Sequence, residues 1–101
     1  MSEPPRAVSL REMGYTAAEF ARVLPAAMRD WSVSGGPCAW QVTDRCGAQV
    51  ATIRIEPLPD RVVGALRLPV LAVALDLADS PSDVRDEFVR RFDRGFHRGG
   101  G

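Results

Sequence analysis

The sequence predicts an α+β fold, a two-layer sandwich in which a helix, three or four antiparallel strands and a second helix follow in order. Three observations carry that prediction. A capping signal opens an apolar run of helical period near residue 20, apolar and polar residues alternate strictly from Ala51 to Glu56, and four apolar residues recur every fourth position near the end. Elements that bury one face each settle as two layers around one core, here with both helices on the same face of the sheet.

The first helix is the best-signalled element. In "GYTAAEF", Thr16 precedes Glu19 by three residues, the spacing of a capping box in which two side chains satisfy two backbone donors reciprocally. Tyr15 and Phe20 flank it at the positions of a hydrophobic staple. Phe20, Val23, Leu24, Ala27, Met28 and Trp31 then line one helical face. Pro25 falls within this run, which predicts a kink or a second short helix from that point.

"SGGPC" reads as a loop. Trp40 to Thr43 reads as a strand, Asp44 to Gly47 as a turn, and Ala48 to Glu56 as the partner strand. "EPLPD" is expected to break the chain before a third strand from Arg61 to Leu68, with Gly64 as a bulge or a close backbone approach. Pro69 leaves open whether Val70 to Leu77 is a fourth strand or the second half of the third. Leu71, Val73, Leu75 and Leu77 make one face of that segment apolar, and Val70, Ala72 and Ala74 make the other apolar too. A strand apolar on both faces needs cover on both.

The closing helix is expected to start at "DSPSD", with Ser80 as its cap and Pro81 in the first helical position. Val84, Phe88, Phe92 and Phe96 form its buried stripe, each phenylalanine worth about 1.5–3 kcal/mol on burial. Asp86 with Arg90 and Glu87 with Arg91 are acid-first pairs four residues apart. Gly95 suits either a helix end or an interior position. The whole chain, 1–101, is expected to be one domain, with 1–13 an irregular arm and 99–101 a flexible tail.

Composition excludes more than it assigns. The 101 residues hold thirteen basic and thirteen acidic side chains, so no net field draws the chain to nucleic acid or an anionic membrane. No apolar run approaches the roughly twenty residues of a membrane span. The opening residues "MSEPPRAVSL" lack the positive and apolar regions of a secretory signal. Cys38 and Cys46 are too few for a disulfide scaffold, and with His97 they make at most three ligands, short of a structural zinc set. A cytoplasmic protein without metal or other cofactor is the expectation. A catalytic pair would have to join Cys38 or Cys46 to His97, and no catalytic residue is assigned.

Three functional readings remain. The leading one is a small soluble, non-enzymatic binding or assembly module, a homodimer through its sheet, with Val70, Ala72 and Ala74 as the dimer face. The second is nucleic-acid binding through Arg90, Arg91, Arg94 and Arg98 of the C-terminal helix, with Arg54 and Arg67 from the sheet. The helix–strands–helix order is also that of double-stranded-RNA-binding domains, but "SPSDVRDE" puts acid where that family has lysine, and no family is assigned. The third is a small-ligand or enzyme site between helix and sheet, lined by Trp31, Trp40 and Cys38.

Overall fold

A computed structural model describes residues 8–77 and 80–96. The elements are β1 (Val8–Met13), α1 (Ala17–Met28), β2 (Ser32–Gly35), β3 (Ala39–Thr43), β4 (Gln49–Val63), β5 (Leu66–Asp76) and α2 (Ser82–Gly95). The strands form one sheet in the order β1-β5-β4-β3-β2, every pair antiparallel. The α+β class and the antiparallel sheet expected from the sequence are present, with five strands rather than three or four.

α1 begins as its capping box dictates. The Thr16 hydroxyl accepts from the Glu19 amide at 3.1 Å, and the Glu19 carboxylate accepts from the Thr16 amide at 2.9 Å. Tyr15 and Phe20 are both buried and meet through Phe96, whose ring lies 4.7 Å from that of Phe20 and 5.3 Å from that of Tyr15. Pro25 stays inside a single helix. Phe88, Phe92 and Phe96 are buried as the fourfold spacing requires. One core cluster joins them to Phe20, Leu24 and Met28 of α1 and to Val42, Ile53, Val73 and Leu75 of the sheet.

Several boundaries differ from expectation, each for a local reason. Val8–Met13, within the stretch expected to be irregular, pairs with Leu71–Asp76 as an edge strand. Ser32–Gly35, at the start of the supposed loop, pairs with β3. "EPLPD" does not break the chain: β4 runs through Pro57 and Pro59, and β5 runs through Pro69. The Ile55 amide donates to the Cys38 carbonyl, so amides of that parity on β4 point toward β3. Pro57 follows in the same parity but beyond the end of β3, so its missing donor removes no bond to β5. The same alternation turns the nitrogen of Pro69 toward β1, whose pairing stops at Met13 opposite Leu71. Both prolines therefore turn their nitrogens to a side where no neighbouring strand pairs with them.

Gly64 is the hairpin turn rather than a bulge. Val63 pairs with Leu66, leaving a two-residue connection whose first residue has φ 59°. Glycine tolerates that angle without strain, and a turn of this kind matches the twist of paired strands. The irregularity lies instead between Leu58 and Arg61. Beyond the ends of β1 and β3 the β4–β5 hairpin continues as a two-stranded arm.

At α2 the cap is Pro81 and the helix starts at Ser82. Ser80 is buried, and its hydroxyl donates to the Val50 carbonyl, tying the helix entry to β4. α2 ends at Gly95. A Cβ placed on Gly95 would stand 2.2 Å from the Ala27 Cβ of α1, so the two helices touch there backbone to methyl. Gly95→Ala should therefore cost about 1–3 kcal/mol of stability by overpacking, despite alanine's better helix propensity. Urea denaturation of Gly95→Ala checks this, with a lowered midpoint expected and an unchanged or raised midpoint contradicting the close contact.

The open face of the sheet as candidate functional site

Strand alternation sorts the sheet into two faces. Ile53 and Ile55 of β4 and Leu71, Val73 and Leu75 of β5 are buried under the helices. The residues between them face away from the helices: Arg54 and Glu56 are exposed, and Val70, Ala72 and Ala74 are half-buried by their small size and their neighbours. Val70, Ala72 and Ala74 therefore share the face without helices.

Strand register arranges that face in rows. One row reads Leu10, Ala74, Arg54 and Ala39 across β1, β5, β4 and β3, and the next reads Glu12, Ala72 and Glu56. The row beyond pairs Val70 with Leu58. Alanines on β5 make the floor low, while longer side chains on β1 and β4 stand at its sides. The result is a shallow trough of about 700 Å³ between Leu10 and Glu12 on one side and Arg54 and Glu56 on the other. Leu10 is 78 % exposed.

The apolar surface continues onto the arm. Leu66 and Leu68 follow Val70 in the same strand parity, and Val63 pairs with Leu66. Leu66 is 62 % exposed, and Val62, Val63 and Leu68 are also exposed. Every large exposed hydrophobic residue among those described lies on β1 or on this arm. The composition of β5 signalled the trough floor, but Leu10, Leu66 and Leu68 were missed. Leu10 lay in a segment expected to be irregular, and the other two were assigned to a strand without a known neighbour.

The candidate arginines of α2 are used differently. Arg91, its side chain 16 % exposed, donates to Glu87 at 2.8 Å, to Asp30 at 2.7 Å and to the Met28 carbonyl at 2.7 Å. Its guanidinium also lies 4.0 Å from the ring centre of Trp31. One side chain of α2 thus satisfies a terminal carbonyl of α1 and covers the tryptophan beyond it. Arg90 pairs with Glu87 at 2.7 Å rather than with Asp86. Arg94 is exposed in the last turn, and Arg98 and His97 lie outside the described residues. Asp83, Asp86, Glu87 and Asp93 alternate with Arg85, Arg90, Arg91 and Arg94 along this helix, so no purely basic face forms there. From the sheet, Arg54 borders the trough and Arg67 lies on the arm, opposite Val62.

None of the grooves described among these residues is lined by Trp31, Trp40 and Cys38 together. Trp40 is buried against Phe20 with ring centres 5.5 Å apart, whereas Trp31 stacks on Arg91. A groove of about 360 Å³ that Trp40 borders is completed by Ser34, Gly35, Gln41 and Arg54 among others, and includes neither Trp31 nor Cys38. Cys38 and Cys46 are exposed free thiols. Cys46 lies in the Asp44–Gly47 turn, where the Asp44 carboxylate accepts from the amides of Cys46 and Ala48. Among the described residues no three His, Cys, Asp or Glu side chains gather as a metal site, and no helix is long and apolar enough to cross a membrane. Comparisons with family models, curated proteins and solved structures return no match.

The Arg91 cluster makes a pH prediction. Hydrogen bonds from Arg91 and then Arg90 hold the Glu87 carboxyl down to about 2, from an ordinary value of 4.5. A lowered folded-state value means the contribution is complete above the ordinary value and is lost as pH falls toward about 2. Denaturation midpoints should therefore fall across that acid window, and Glu87→Gln should flatten the fall while lowering stability at neutral pH.

Proposed function

We propose that this protein is a small non-enzymatic assembly module that forms a homodimer through the open face of its sheet. The observation that supports this reading is the apolar surface from Leu10 across Ala74 and Ala72 to Val70, with small alanines at its centre. Contiguous apolar patches of a few hundred Å² are often functional and serve as interaction surfaces. The part of the face between the arm and the end of β5 spans roughly 20 Å across β1, β5, β4 and β3 and roughly 23 Å along β5, on the order of 450 Å² in projection. A standard interface takes about 800 Å² of accessible surface from each partner, so a second copy on this face makes an interface toward the small end of the range. The two exposed free thiols suit the reducing cytoplasm, where we place the protein.

Ala72→Arg and Ala74→Arg each put a long charged side chain on the trough floor. Either change should weaken self-association on the order of a hundred-fold or more and leave a folded monomer. Sedimentation velocity over a concentration series measures this, with circular dichroism to confirm the fold. A wild-type chain that stays monomeric at every concentration contradicts the proposal, as does an Ala74→Arg chain that associates like the wild type.

A further inference from the structure

Arg54 and Glu56 are the charges that the apolar face leaves unmatched. They stand two residues apart on β4, on the same side of the strand, separated by about 7 Å. Among the described residues neither has an ion-pair partner, whereas Glu12 across the trough is met by Arg61 at 3.5 Å and Arg11 by Asp93. Each borders the alanine floor: Arg54 pairs in register with Ala74, and Glu56 with Ala72. A second copy laid over this face would desolvate both, and a desolvated charge without a partner is strongly destabilising.

Two-fold symmetry limits how that cost can be met, because every contact in an isologous interface occurs twice with the roles exchanged. Aligned packing of the two sheets leaves two face-to-face arrangements. With the axis running along the strands, each row meets itself in reversed order, so Arg54 approaches the partner's Arg54 or an uncharged residue of that row, and Glu56 approaches a glutamate or Ala72, never a residue of opposite sign. With the axis running across the strands between the Ala72 and Ala74 rows, the rows exchange. Arg54 then meets the partner's Glu56, Glu56 meets the partner's Arg54, and Ala72 lies over the partner's Ala74. Only the second arrangement pairs both charges, and it does so with two residues used twice.

Resting on the dimer reading above, we infer that the two sheets pack with antiparallel β4 strands about an axis between the Ala72 and Ala74 rows, registered by reciprocal Arg54–Glu56 ion pairs. Small residues at the centre let the sheets approach closely, and the aliphatic stems of Arg54 and Glu56 lie along the alanines. Away from the axis, the crossing of about 30° usual for aligned sheets carries the strands apart. The two arms leave the dimer at opposite ends, each beyond the end of the other sheet, with Val63 and Leu66 at their tips.

A charge-reversal cycle tests the register. Arg54→Glu leaves two acids on this side of β4 and Glu56→Arg leaves two arginines. Each should weaken self-association on the order of a hundred-fold, because like charges then meet across the axis. Arg54→Glu combined with Glu56→Arg exchanges the signs, keeps the reciprocal pairing, and should return the dissociation constant to within a few-fold of the wild type. Single variants that associate as tightly as the wild type, or a double variant no better than the singles, overturn this register while a wild-type dimer still stands. A monomeric wild type removes the dimer and the register together. Should charge reversal disturb folding, Arg54→Gln and Glu56→Gln ask the same question with a smaller change, each weakening association about ten-fold. Unchanged association in both overturns the inference.

Discussion

The contact on which the rest depends is the close approach of the two helices where Ala27 meets Gly95. A methyl group against a bare backbone lets α1 and α2 lie together over one face of the sheet. The rings of Phe20, Phe92 and Phe96 stack in the space between them, with centres 4.6 to 6.1 Å apart. Tyr15 closes the end of this stack by donating its hydroxyl proton to the Phe96 carbonyl at 3.0 Å. Arg91 closes another edge by joining the C-terminus of α1 to α2. Aromatic burial and these polar ties together give the helix layer its position.

That arrangement has a cost at the opposite face. With both helices committed to one side, β5 presents its second apolar side to solvent. Its small residues limit the exposure per position, but the register adds Leu10 from β1 and Leu58 from β4 to the same surface. The arm follows from the same geometry. β4 and β5 outrun β1 and β3, so Pro57 and Pro69 sit beyond the ends of the neighbouring strands, and among the described residues the arm's apolar side chains lack a layer above or below. Among the described residues, a face without cover and an arm without neighbouring strands are two consequences of one division of the chain.

The elements most legible in the sequence were those governed by local chemistry. Thr16 and Glu19 announced a helix start because a capping box is completed within four residues. The Phe88, Phe92 and Phe96 stripe needed only the helical period. The two-faced apolar pattern of Val70 to Leu77 announced an uncovered surface, although nothing local could say which neighbours would extend it. Pairing across distance was not legible. β1 becomes a strand because β5 offers it an edge, and Pro57 and Pro69 are tolerated because the adjacent strands end before them. Gly95 read as either a helix end or a tolerated interior glycine, whereas its lack of a side chain also serves a contact with Ala27, sixty-eight residues away in the chain. The arginines of α2 were visible as charges, but Arg91's role in capping α1 depends on a helix packing that the sequence does not display.

The account's central claim is that the helix-free face is an interface between two copies of this chain. The most direct measurement is isotope-filtered NMR on an equal mixture of carbon-13-labelled and unlabelled protein, which records only contacts between different molecules. The account predicts intermolecular cross-peaks from the methyl groups of Ala72 and Ala74. Their absence in a sample that is dimeric by mass, with cross-peaks arising instead from the outer surfaces of α1 or α2, would contradict it.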